Sequence, residues 1–520
     1  MTGPRFTFAR KAAGAVALVI LADVLFFNQL AGATIGLFAL VWIAVIVAAM
    51  PAVLHNRSSL VALVLAALLA LAQIEEPSLL GCALFLVTSA FAVLAARQRF
   101  DDAFRWSQRL IAHGVLGLVR PFGDAIRLLR LPRRAGRAGI RSSARMMLLP
   151  LLGGIAFVAL FAHANPLIGQ AFESIVLPSP FAAIGHLLFW IAAFLAIWPS
   201  LRPHPSATGL FANIPRFERQ WPEVALPSIL LSLVTFNLIF AVQNGLDIAF
   251  LWSGAALPRT VTLANYAHRG AYTLIATALL AGLFVLALLR PGSVAATSPA
   301  ARRLVVLWVA QNLLLVASSI LRTIDYVEAY SLTVFRIAAL LWMGLVAIGL
   351  VLVCWRLLSG RSARWLINAN SLAAAVVLLP ATAIDLGAIA ADWNVRHARE
   401  TGGAGAAIDL CYLHDLGPAA LLPLIDLERS ARQPALRDRA TFLRAGILAD
   451  VVARDADWHQ WSWRNARRLA AARIALGPNP ARPKPAPDGR ECDGTIVTPP
   501  AAAPVPPLPS APPLTEAPQR

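Results

Sequence analysis

Apolar residues run along this chain in blocks of about twenty, separated by short polar or arginine-bearing segments. The blocks fall near 12–31, 34–54, 58–74, 77–96, 146–164, 181–199, 225–246, 270–289, 304–321, 332–355 and 365–389. A bilayer core about 30 Å thick takes about 20 apolar residues of helix. The pattern therefore predicts an all-α fold, a polytopic transmembrane helical bundle of about 11 helices. After residue 391 it changes. "AIDLCYLHDLGPAALLPLIDLE" and "RRLAAARIAL" keep helical apolar spacing in a more polar setting, with Gly417-Pro418 as a break. From residue 479 Pro and Ala dominate ("PPAAAPVPPLPSAPP"), a composition that buries no core and predicts a disordered, extended tail.

The predicted organisation follows. Residues 1–96 form an N-terminal four-helix membrane segment and 97–145 a basic cytoplasmic loop. Residues 146–391 form the main membrane domain of about 7 helices, 392–478 a small helical extracytoplasmic domain, and 479–520 the tail.

Composition agrees with a membrane class: 58% of the 520 residues are hydrophobic, 14% are charged, and mean hydropathy is +0.67. A net charge of +18 suggests nucleic acid until its position is considered. With the N-terminus inside, as Arg5, Arg10 and Lys11 favour, the inside segments sum to about +21 and the outside loops to about −3. One missing span would swap every later loop, so this asymmetry supports N-terminus in and C-terminus out. The first run also resembles a cleavable signal peptide ending at Ala31-Gly32-Ala33, but its length and the internal Asp23 argue against cleavage.

The loop 97–145 carries twelve arginines against Asp101, Asp102 and Asp124. Phe104, Trp106, Leu110, Ile111, Val115, Leu118 and Val119 recur among them at near-helical spacing, predicting an amphipathic helix on the inner leaflet. Anionic lipid headgroups are its expected partners, and no nucleic-acid motif accompanies the charge. "DWHQWSWRNARR" gathers Trp458, Trp461 and Trp463, either as an outer-leaflet anchor or as the core of the small domain. Of four cysteines, Cys82 and Cys354 lie in apolar runs as packing residues. Cys411 and Cys492 lie in the polar tail, and the sequence leaves open whether they pair.

No P-loop, H-E-x-x-H, G-x-S-x-G or zinc-spaced Cys/His set is present, so no catalytic residue, metal or cofactor is predicted. The informative residues are polar groups at membrane depth, which are costly and often functional. They are Asp23, His163, Asn165, Asn244, Asp247, Arg322, Tyr330, Thr333, Arg336 and Asp385, with Asn28, Asn237, Gln243, Gln311 and Asn312 beside them. Most fall in the outer half under the assigned topology, predicting a polar cluster or cavity open to the outside. Arg336 lies six residues beyond Tyr330, about 9 Å along a helix. Snorkelling or an ion pair with Asp23, Asp247, Asp385 or Asp325 would satisfy it, and a bound anionic headgroup is the alternative. His163 reads as a satisfied polar helix end, and Asn165-Pro166 as a helix stop.

Tyr330-Ser331-Leu332-Thr333-x-x-Arg336, preceded by "DYVEA", resembles the Y-G-L-T-x-x-R stretch of a bacterial family of multi-pass membrane proteins described only as a domain of unknown function. Asn165-Pro166, "NYAHRGAY", "WNVRHARETG…IDLCYLHDLG" and "WHQWSWRNARRLAAAR" are similar to other stretches of it, over most of residues 150–475. Ser331 stands where the family pattern has Gly. The resemblance implies a multi-pass bacterial inner-membrane protein with an outward helical tail and brings no catalytic residues. The expected function is a non-enzymatic sensor, scaffold or assembly factor of the envelope, with an envelope protein met through the C-terminal tail. A transporter or lipid-binding protein using the outer polar cluster is the alternative, and a membrane-embedded transferase on lipid-linked substrates is the third.

Overall fold

A computed structural model describes residues 4–130, 150, 153–154, 157, 180–203, 225–253, 280 and 297–497. Among the described residues helix is the only regular secondary structure, apart from an isolated bridge between Arg490 and Ile496. Among the described residues six helices are long and apolar enough to cross a membrane, and two shorter apolar helices join them. Most of the runs 146–164 and 270–289, with His163, Asn165 and "NYAHRGAY", lies outside the described residues.

The first compact unit comprises residues 1–327, 334–386 and 452–467. It opens with α1 (Pro4–Phe26), α2 (Thr34–Ala49), α3 (Arg57–Glu75) and α4 (Leu79–Ala95). Asn28, expected within the first span, lies past its end with φ 55°, a left-handed conformation that Asn tolerates. Asn56 and Ser78 cap α3 and α4, accepting from the Ser58 and Gly81 amides. The Gln73 side chain closes the turn between them, donating to Ser78 O and accepting from Ser78 N at 2.7 Å. At the other end Ser59 Oγ donates to Ala92 O and Asn56 Nδ2 to Ala95 O, so the two helices run antiparallel. Leu18, Trp42, Ile46, Ala66, Phe85 and Trp198 fill the core.

Next comes α5 (Ala103–Arg130), the expected amphipathic helix. Trp106, Ala112 and Asp124 are buried, whereas Phe104, Ile111, Val115, Leu118, Val119 and Phe122 form an exposed apolar stripe. Asp124 is enclosed by Arg120, Arg202 and the Trp198 indole.

The remaining membrane helices are α6 (Pro180–Leu201), α7 (Leu226–Asp247), α8 (Pro299–Tyr330), α9 (Val334–Leu358) and α10 (Ala363–Ala381). Their cross-contacts give direction. On α1 and α6, Phe8 meets Trp198 and Phe27 meets His186, so these helices are antiparallel. On α7 and α8, Asn237 bonds Leu304 O and Asn244 bonds Gln311 O, while Trp252, in the π-turn after α7, bonds Ser318. Numbers rise together on both, so α7 and α8 are parallel neighbours. In a bilayer, parallel neighbours start from the same side, the relation that the charge pattern assigns to them.

Two boundaries differ from the sequence reading. The stretch 322–330, read as an outer loop, is the last part of α8. The chain then turns sharply at Ser331, whose φ is 71°, and α9 starts only at Val334. Arg336 therefore sits in the first turn of α9 rather than about 9 Å inside a helix opened by Tyr330. The last span ends at Ala381, next to Pro380, and Asp385 lies in the break before α11 (Leu386–His397), in the position favoured for an N-cap.

The segment 457–467 belongs to this first unit. Gly32 N and Ala33 N donate to His459 O and Trp461 O, both at 2.6 Å. Arg464 and Arg467 pair with Glu75, and Arg464 also donates to Ala383 O. The α1–α2 loop, the end of α3, the end of α10 and residues 457–467 thus share one rim. A Cβ on Gly32 would lie 2.4 Å from Trp461 O, so only Gly permits this approach.

The second unit comprises residues 328–333, 387–451 and 468–520. It contains α11, α12 (Leu410–Asp415), α13 (Leu421–Ser430) and the greater part of α14 (Pro434–Ala456) and α15 (Trp463–Leu476). Val395, Leu413, Leu424, Leu443, Val451 and Leu469 are among its core residues. The segment 477–497, where composition predicts an extended tail, instead folds back on the helices. Cys492 is disulfide-bonded to Cys411, Arg490 pairs with Asp438 at 2.8 Å, and Arg439 holds Asp493. These contacts override the Pro-rich composition because one covalent link and two ion pairs, that of Arg490 buried, offset the chain entropy. Asn394 grips the Ser331 turn, accepting from Leu332 N at 2.6 Å and donating to Leu332 O at 2.9 Å.

Two outcomes follow. Ser331→Gly relieves the left-handed strain and should stabilise the detergent-purified protein by about 1 kcal/mol, whereas Ser331→Val should destabilise it by at least as much. Burial raises the Asp438 pKa, but the Lys484 amide and Arg490 outweigh it and hold the carboxyl below its usual value. That stability is present above the unfolded carboxylate pKa and is lost as pH falls through the folded one. Protease sensitivity of 477–497 should therefore rise below about pH 4.

Candidate functional site

The polar residues expected at membrane depth separate into three places. The first is a seam between α7 and α8. Asn237, Gln243, Asn244 and Asp247 lie on α7, with Gln311 and Arg322 on α8. Asp247 and Arg322 form a buried ion pair, with side-chain exposures of 1% and 7%. Gln243 Nε2 donates to the same carboxylate oxygen at 3.1 Å. Further along, Gln311 Nε2 donates to Asn237 Oδ1 at 2.7 Å, and Asn244 Nδ2 to Gln311 O at 3.2 Å. The spacing of 237 and 244, and of 304 and 311, is two helical turns, which keeps these groups on the facing sides.

The second place joins α1 to α6. Asp23 Oδ1 accepts from Trp190 Nε1 at 2.9 Å and contacts His186 Nε2. Phe27 stacks on the His186 ring at 3.7 Å between centroids. The sequence reading passed over His186 and Trp190. The available signal was a single histidine inside "FAAIGHLLFW", one helical turn before a tryptophan. Beside this group a groove of about 720 Å³ is lined by apolar side chains of α1, α5 and α6.

The third place is the α8–α9 turn. Tyr330 and Thr333 flank Ser331 and Leu332 there, and the Arg336 guanidinium stacks over the Tyr326 ring at 4.3 Å. Of the carboxylates expected to serve Arg336, Asp247 is held by Arg322 and Asp23 by His186 and Trp190. Asp385 stands in the break between α10 and α11. The structure therefore brings Asn244, Asp247 and Arg322 together, sets Asp23 with α6, and places Arg336 over Tyr326. Trp458 and Trp463 are exposed, at 57% and 52%, and are not part of the core of the second unit.

The family match covers residues 36–427, three-quarters of the chain. The chain belongs to the DUF4153 family, a domain of unknown function. The match starts well before residue 150 and leaves "WHQWSWRNARRLAAAR" outside it. No curated protein and no solved structure matches the chain. In this DUF4153 protein Ser331 explains the Gly of the resembling Y-G-L-T-x-x-R pattern, because the residue after Tyr330 adopts positive φ. Among the described residues no group of three His, Cys, Asp or Glu is placed to hold a metal.

The seam generates a quantitative expectation. Asp247→Asn or Arg322→Met alone strands a buried charge and should cost about 3–5 kcal/mol. Asp247→Leu combined with Arg322→Met should cost less than the sum of its two singles, measured as a double-mutant cycle on unfolding in mixed micelles.

Proposed function

We propose that this DUF4153 protein is a non-enzymatic scaffold or assembly factor of the bacterial inner membrane, presenting its C-terminal helical domain outside the cytoplasm. The observation that carries this reading is the Cys411–Cys492 disulfide within that domain. Disulfides persist in oxidising compartments and are rare in the cytosol. The arginine asymmetry independently assigns Gly32, Glu75 and the end of α10 to the outer side, and segment 457–467 shares their rim. The exposed Trp458 and Trp463 on this segment suit the outer membrane–water interface.

A structural role for the intramembrane charges is supported by their partners. Asp247 and Arg322 neutralise each other inside the bundle, so neither is offered as a free charge along a substrate path. On the inner side, the exposed apolar stripe of α5 would enter the leaflet and bring the arginine-rich loop against anionic headgroups. Ile474, 85% exposed on α15, is the position at which contact with an envelope partner is tested.

Alkaline phosphatase fused after Arg520 should be active in intact cells, and a cytoplasmic-only reporter at the same site should be silent. The reverse result refutes the outward domain. Cys411→Ser with Cys492→Ser should lose about 2–5 kcal/mol and expose 477–497 to protease. A photo-crosslinker at Ile474 should give an adduct with a distinct envelope protein. Adducts with lipid or self alone would refute the scaffold role.

A further inference from the structure

The groove beside Asp23 combines an apolar channel with one ionisable end. Val16, Val19 and Ile20 of α1 face Ile191, Phe194 and Leu195 of α6, and α5 contributes Pro121 and Phe122. Its volume of about 720 Å³ falls within the range of about 300–1,000 Å³ common to small-ligand sites. Among the described residues lining it, Asp23 is the one ionisable residue. The antiparallel register sets Asp23 level with 186–190, one helical turn from the end of α1 at Phe26. From Asp23 to Val16 the groove follows α1 for about 10 Å.

The surroundings decide what kind of molecule reaches it. Ile20, Ile184, Leu187 and Leu188 are exposed on the same two helices. In a bilayer such faces meet acyl chains, so a ligand enters from the lipid phase. Asp23 decides the headgroup. Both protein donors, His186 and Trp190, converge on Oδ1, leaving the second carboxylate oxygen for a further donor. Phe27 holds the His186 ring in place by stacking. A carboxylate near the membrane surface is best matched by a cation carrying hydrogen-bond donors, which a primary ammonium supplies three at a time.

We propose that the α1–α6 groove binds one phospholipid with a primary-ammonium headgroup, its acyl chain along Val16–Ile20 and its ammonium on Asp23. The site goes beyond the scaffold role and does not rest on it, because lipid retention tests neither topology nor partner.

The full chain would be incorporated into nanodiscs, released gently and weighed with its bound lipids by native mass spectrometry. Nanodiscs would contain matched-chain phosphatidylethanolamine, its trimethylated analogue phosphatidylcholine, or phosphatidylglycerol. The expected result is one retained phosphatidylethanolamine per chain, about tenfold preferred over the other two, as one charge-assisted hydrogen bond supplies. Asp23→Asn should erase the preference while leaving chain binding. Ile191→Trp, which fills the groove, should remove the retained lipid altogether. Equal retention of the three lipids by the wild-type chain overturns the proposal, and that comparison needs no variant. Preference for phosphatidylglycerol, a preference unchanged in Asp23→Asn, or retention unchanged in Ile191→Trp overturns it as well.

Discussion

In hydrocarbon a polar group has no water to fall back on, so each one carried into the membrane must find its partner within the protein. The first unit of this chain is arranged around that constraint. Asp247 is neutralised by Arg322 and supported by Gln243, Asn237 is matched to Gln311, and Asp23 is matched to His186 and Trp190. The Asp247–Arg322, Asn237–Gln311 and Asp23–His186/Trp190 contacts each cross from one helix to another, so satisfying these groups also sets which helices are neighbours and in which direction they run. The parallel pairing of α7 and α8 is the clearest case, because its hydrogen bonds repeat at a nearly constant offset along the two segments.

At the rim the constraint relaxes and other forces take over. Residues 457–467 join the α1–α2 loop through backbone hydrogen bonds that require Gly32, and reach the α3 end through two arginines on Glu75. The second unit has an aliphatic core, a buried ion pair between Arg444 and Glu428 and a disulfide that closes a separation of 81 residues. The covalent link acts on the unfolded chain, which is how the Pro-rich segment 477–497, with little to bury, is held against the helices.

Much of this was legible in the chain. Runs of about twenty apolar residues identify spans because the bilayer sets their length. The amphipathic spacing from Phe104 to Val119 likewise marks α5. Less legible were the exact ends. The stretch 322–330 reads as a loop because Arg322, Asp325 and Glu328 are charged, yet α8 continues through it. Hydropathy measures cost in lipid, not backbone conformation, so a helix that leaves the bilayer looks like a loop.

The sequence by itself determined the membrane class, the helical fold and the residues whose burial would be expensive, since those follow from composition and period. It could not say which expensive residues meet. Asp23 and Arg336 have comparable sequence signals, yet one is held by a histidine and a tryptophan on α6 and the other lies over Tyr326 in the first turn of α9. Partner choice depends on which helix faces which, and in what direction. Those are three-dimensional relations between segments far apart in the chain, and only the tertiary structure decides them.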